Sequence, residues 1–87
     1  MLILTFDFCQ LADRDAFYHQ LAQQSHCPFP FGNNLDALWD WLTGGMALPA
    51  EIHLHHIDKQ RDALVPVLAL LEEAAQSLKG ELRLVIH

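Results

Sequence analysis

Phe31-Gly32-Asn33-Asn34-Leu35-Asp36-Ala37-Leu38-Trp39-Asp40-Trp41-Leu42-Thr43-Gly44 reads as a loop, a short capped helix and a glycine stop. Asn34 is placed to accept the first free N–H groups of a helix over Leu35 to Thr43, and Asp36 suits its first turn. Leu35, Leu38 and Leu42 recur as an inward stripe. Asp36, Trp39, Asp40 and Thr43 form the opposite face. Gly44 is expected to end the helix and Gly45 to loosen its exit. Asp36 and Asp40 stand one turn apart, where like charges cost about a few tenths of a kcal/mol. Asp40 also lies towards the helix C-terminus, where the backbone dipole disfavours an anion. Carboxylates set against local preference point to a cationic target outside the helix.

Strands flank this helical unit. Leu2 to Phe8 is short, apolar and rich in residues that suit a strand, and its near-continuous apolar run implies burial on both faces. Asp13 is an N-cap for a helix from Arg14 to Gln24, with Ala12 and Phe17 at staple positions and Phe17 and Leu21 on one face. Pro28 and Pro30 make Ser25 to Phe31 an extended loop. After Pro49, Ala50 to His55 alternates Ile52 and Leu54 against Glu51, His53 and His55, as a strand does. Asp58 caps a short helical turn over Lys59 to Asp62, and Pro66 marks a helix start or a kink. Val67 to Lys79 is helical, with Leu64, Val67, Leu68, Leu71, Ala75 and Leu78 along one side. Gly80 stops it, and Leu82 to Ile86 is the last strand.

The order β-α-α-β-α-α-β predicts an α/β fold: a small three-stranded parallel sheet packed with about four helices, since parallel neighbours need helical crossovers. At 87 residues the chain makes one domain, residues 1–87, without repeats or linkers. Its composition, 52% hydrophobic and 18% charged, is globular rather than disordered. A net charge of −6 argues against nucleic acid as a partner, because phosphates are bound by Lys and Arg. No Lys or Arg falls between Asp15 and Asp58, so the acidic helix lies in the least basic part of the chain. No signal peptide or membrane-length apolar run is present. The two cysteines, Cys9 and Cys27, make no disulfide framework, which points to free thiols in a reducing cytoplasm. Cys9 is expected to be a small buried hydrophobe at a strand end, and Cys27 an exposed loop residue.

Three chemistries compete for the polar residues. Asp36 and Asp40 resemble an acid–base pair only in spacing; such pairs normally come from different elements of a deep cleft, which so small a domain hardly offers. A solvated helix face is the plain alternative. It leaves unexplained a Trp flanked by carboxylates, which suits a protein-binding face with Trp39 as anchor. His53 and His55 share a strand face with Glu51, as strand metal ligands do, but no firm further ligand follows apart from Cys27. They read better as polar histidines on an edge strand. His19, His26 and His87 are expected at the surface. No P-loop, dinucleotide-binding turn, serine nucleophile elbow or Cys-x-x-Cys occurs, so no cofactor and no enzymatic activity are expected.

The string Asn34-Leu35-Asp36-Ala37-Leu38-Trp39-Asp40, with Phe31-Gly32 before it and Leu42-Thr43-Gly44 after it, resembles the signature of the barstar family, intracellular inhibitors of barnase-type ribonucleases. Outside this segment the likeness is one of length and element order. The resemblance implies a cytoplasmic, monomeric ribonuclease inhibitor whose acidic second helix and preceding loop plug a basic active site. Asp40 would stand in for the substrate phosphate, Asp36 would pair with a neighbouring cation, and Asn34, Leu35, Trp39 and Gly44 would line the contact. Glu73 falls where the family has a further acidic contact, with Leu70 one turn before it. Three positions depart from the family: Pro30 for a tyrosine of the binding loop, Gly45 for a tryptophan after the helix, and Trp41 for a cysteine within it. Phe29 and Phe31 are candidate substitutes for the missing aromatics, and Trp41 is placed to pack against the core. Either the partner is a different ribonuclease, or the chain is a barstar-fold binding module for another basic protein without ribonuclease inhibition.

Overall fold

A computed structural model describes residues 1–11, 13–28, 34–59 and 61–87. The elements run β1 (Leu2–Asp7), α1 (Arg14–Gln24), α2 (Leu35–Asp40), β2 (Ala50–His55), α3 (Arg61–Ser77) and β3 (Leu82–Ile86). The strands form one parallel sheet in the order β1-β2-β3, with Leu4 beside Ile52 and Ile52 beside Leu84. The expected α/β architecture is therefore present.

The sheet is buried on one face only, contrary to the reading of β1. Leu4, Phe6, Ile52, Leu54 and Leu82 face the helices, whereas Ile3 is 57% exposed on the other side. The strand order explains this. Each crossover moves the chain one strand further in the same direction, so right-handed connections deposit every helix on the same face. The outward face carries Thr5, Asp7, Glu51, His53, His55 and Arg83. β2 is the central strand, so its histidines do not lie on an edge. On the β1 edge, the Gln24 side-chain amide makes two bonds to Thr5: its Oε1 accepts the Thr5 N–H at 2.9 Å, and its Nε2 donates to the Thr5 carbonyl at 2.9 Å.

Phe6, Phe17, Leu21, Leu38, Leu42, Ile52, Leu64, Val67 and Leu71 form the core between sheet and helices. Helix α1 begins as its cap predicts, with Asp13 Oδ1 accepting the Ala16 N–H at 2.9 Å. Among the described residues there are three α-helices rather than about four. The expected turn over Lys59 to Asp62 is a 3-10 turn at Ile57–Lys59, and α3 starts at Arg61 and runs through Pro66. Pro66 removes one backbone bond in the second turn, but Leu64, Val67, Leu71 and Ala74 bury an apolar stripe that holds the helix together. Ala12 and the segment from Phe29 to Asn33 lie outside the described residues, so the staple and the substitute aromatics are not placed.

Helix α2 also ends differently. It is α-helical only to Asp40 and widens into a single π-type turn at Trp41–Gly45, closed by the Met46 N–H on the Trp41 carbonyl at 2.8 Å. Gly44 is not a left-handed cap. The glycine that matters is Gly45: a Cβ there would stand 2.5 Å from Trp41 Cε3 and 2.7 Å from Cζ3. The Trp41 indole is fixed, because its Nε1–H donates to Ser25 Oγ at 2.9 Å and that hydroxyl donates to the Leu21 carbonyl at 2.6 Å. The expected packing of Trp41 against the core is thus observed. Gly45→Ala is expected to cost about 1–3 kcal/mol through overpacking, read as a lower urea midpoint. Shortening the ring in a Trp41→Leu background should recover part of that loss.

Candidate functional site

The site begins with a cap. Asn34 Oδ1 accepts the backbone N–H groups of Asp36 at 2.9 Å and Ala37 at 3.2 Å, which fixes the first turn of α2. Leu38 and Leu42 anchor the inner side, and Leu35 is half-buried beside them. The other face then projects as the sequence implies: Asp36 and Asp40 exposed, Trp39 and Thr43 half-buried. The Thr43 hydroxyl donates to the Trp39 carbonyl one turn back at 2.7 Å, tying its side chain to the helix. Among the described residues, no hydrogen bond or ion pair engages the side-chain carboxylates of Asp36, Asp40 or Glu73. Asn34→Ala is expected to lower stability by about 1 kcal/mol, checked by denaturant unfolding, because two N–H groups lose their acceptor.

Helix α3 supplies the second wall. Leu35, Asp36 and Trp39 of α2 and Pro66, Ala69, Leu70 and Glu73 of α3 line an open groove of about 330 Å³. Five of the expected contact residues, Leu35, Asp36, Trp39, Leu70 and Glu73, thus share one surface. Asn34, Asp40 and Gly44 lie outside the groove; Asn34 and Asp40 bracket α2, and Gly44 lies in the turn beyond it. Pro66 and Ala69 had no signal of their own, since a small residue and a proline one turn before Leu70 and Glu73 look like ordinary helix surface. The groove is apolar along its length and acidic at Asp36 and Glu73. That combination suits a long cationic side chain, whose methylenes cover the apolar wall while its head meets carboxylates.

The histidines assemble differently from their sequence reading. His19 and His26 are exposed, as expected. His87 is exposed too, but it is not isolated: its Nε2 lies 2.9 Å from His53 Nδ1, and its ring stacks on His55 at 4.1 Å. His53 Nε2 lies 3.0 Å from Glu51 Oε1, and Arg83 reaches Glu51 at 3.7 Å. Only the register of β2 and β3 brings Arg83 and His87 to the Glu51, His53 and His55 face. Packing among the rings disfavours a charge on His87, and the neighbouring His55 and His53 add to this, so its pKa lies below the ordinary 6.5. The unfolded chain therefore takes up a proton on His87 at higher pH than the folded chain does. Stability is expected to fall as the pH drops below about 6.5 towards the lowered folded value. Urea midpoints across that range should decline more gently in His87→Gln than in the parent.

Cys9 is exposed rather than buried. Strand β1 stops at Asp7, whose Oδ1 accepts the Cys9 N–H at 2.9 Å and turns the chain outward. The same oxygen lies 3.0 Å from His56 Nδ1. The Cys9 N–H, and then His56, hold the Asp7 carboxyl below the usual carboxylate range. Cys27 is half-buried against the core.

Among the described residues, no helix is long and apolar enough to cross a membrane. The chain is 33% identical over 77 residues to a Bacillus subtilis (strain 168) protein named "Putative ribonuclease inhibitor YrdF", a match covering 84% of this chain and 85% of that one. The family described as Barstar (barnase inhibitor) matches residues 1–86, and the chain belongs to that family.

Proposed function

We propose that this protein inhibits a basic microbial ribonuclease of the barnase type by direct occlusion. The observation that carries the reading is the face of α2: Asp36 and Asp40 stand exposed, one turn apart, on a capped helix buried along its other side. A ribonuclease must line its site with Arg, Lys and His to stabilise anionic phosphates. A preformed acidic helix answers that potential without having to reorganise. Asp40 takes the phosphate position, and Asp36 with Glu73 receives a cationic side chain in the groove beside Trp39 and Leu70. Asn34, Leu35 and Gly44 border the contact. No bond is made or broken by the inhibitor. In this reading it works as a cytoplasmic monomer that needs no cofactor, touching neither nucleic acid nor membrane.

One observation favours a partner other than barnase itself. Gly45 stands where the family has a tryptophan, and the space above it is filled by Trp41, turned inward to Ser25. The aromatic contact beyond the helix is missing, and a ribonuclease with a shallower rim suits this surface. The test is titration of RNA hydrolysis by several barnase-type ribonucleases. Inhibition of at least one at equimolar inhibitor, with association slowed by added salt, supports the proposal. Binding to a basic protein without loss of RNA hydrolysis would instead leave a binding module on the same fold.

A further inference from the structure

The acidic helix leaves unused a constellation at the C-terminal ends of β1 and β2. Asp7 is the last residue of β1, Cys9 follows two positions on, and His56 comes immediately after β2. The two strands are parallel neighbours, so they leave the sheet side by side. One carboxylate oxygen of Asp7, the Cys9 Sγ and one His56 ring nitrogen all lie within 4.8 Å of one another. We propose that Asp7, Cys9 and His56 form a binding site for a zinc-class divalent transition-metal ion, with water in the fourth position.

The donor chemistry selects the ion. Carboxylate, thiolate and imidazole together suit Zn²⁺ and Co²⁺, whereas Mg²⁺ and Ca²⁺ prefer oxygen alone. Ligand atoms about 2.0–2.3 Å from a tetrahedral zinc stand about 3.3–3.8 Å apart. The 3.0 Å Asp7–His56 contact therefore opens slightly and the cysteine closes in. Both movements are available, since Cys9 is exposed and the His56 and Asp7 side chains are 57% and 35% exposed. Asp7 is oriented beforehand by the Cys9 N–H. Binding sends the thiol proton, and any proton on the coordinating His56 nitrogen, to solvent. The charges of one carboxylate and one thiolate then balance the dication, and affinity rises with pH.

The larger histidine group is the weaker candidate. Both His53 ring nitrogens are taken, one by His87 and one by Glu51. Among the described residues, the Asp7, Cys9 and His56 group is the one whose three donor atoms converge.

The test uses the full chain, freed of metal by chelation and titrated with Co²⁺ alone. A 1:1 complex is expected, with a near-ultraviolet thiolate-to-cobalt band and the visible bands of four-coordinate Co²⁺. Zn²⁺ should displace it and Mg²⁺ should not. Cys9→Ser should abolish the thiolate band, and His56→Asn, whose side chain tolerates the left-handed backbone at that position, should weaken binding about tenfold or more. Cys27→Ser and His53→Ala should change neither. Circular dichroism of each variant establishes that it is folded. The proposal fails if no thiolate band appears, if the band survives Cys9→Ser and disappears in Cys27→Ser, or if affinity follows His53 instead.

Discussion

Asp40→Ala is expected to weaken binding to the cognate ribonuclease by about 2–5 kcal/mol, roughly thirty-fold to several thousand-fold, a range whose reference case is the barnase–barstar pair itself. Much of that loss belongs to the enzyme, whose phosphate-binding cations are left desolvated and unpaired once the carboxylate is gone. The effect should appear chiefly in the dissociation rate, because the remaining acidic residues still steer the encounter. The free protein should respond with the opposite sign. Asp40 is exposed, one turn from Asp36, and closes α2 at the end where the dipole disfavours it. Its removal should therefore leave stability unchanged or raise it by about a few tenths of a kcal/mol. Weaker binding alongside equal or higher stability identifies a residue kept for its partner. Surface plasmon resonance and urea unfolding on the same preparation check both halves. Unchanged affinity for an inhibited ribonuclease would remove Asp40 from the phosphate position.

Leu38→Ala acts through the same helix from its other side. Leu38 is fully buried, and its truncation leaves a cavity between α2 and the core. The expected cost is about 2–5 kcal/mol, a large part of the roughly 5–15 kcal/mol available to a small domain. For a chain of this size each kcal/mol lowers Tm by about 4–8 °C, so a fall of about 10 °C or more is expected by calorimetry. The folded fraction should still inhibit, because Leu38 touches nothing outside the domain. Stoichiometry measured well below the new Tm would separate a collapsed scaffold from a damaged contact surface.

Elements with a local cause could be read directly. Asp13 and Asn34 announced two helix starts because a side-chain acceptor two or three residues ahead of free N–H groups is a local device. The acidic face of α2 followed from the inward stripe of Leu35, Leu38 and Leu42. Features that depend on the arrangement of strands were not legible. An apolar β1 says nothing about which face is covered, and the exposed Ile3 follows from the strand order. His87 meets His53 and His55 only through the register of β2 and β3. Asp7, Cys9 and His56 converge only because two parallel strands end together. The α3 wall of the groove was half visible: Leu70 and Glu73 entered through family resemblance, while Pro66 and Ala69 gave no sign. Gly44 read as the helix stop and Gly45 as a loosened exit, and only the position of the Trp41 ring assigns the constraint to Gly45.

The two bonds from Gln24 to Thr5 bear on how this protein behaves when crowded. Strand β1 lies at the rim of the sheet, where unpaired peptide groups invite another chain to add itself and begin a fibril. A glutamine amide offers one donor and one acceptor in the spacing of a peptide. It fills the middle of that rim with an imitation of the next strand, one that ends there and cannot propagate. A chain with so little basic charge and so much apolar content thus carries its own stopper against polymerisation, supplied by a helix that otherwise only packs the core.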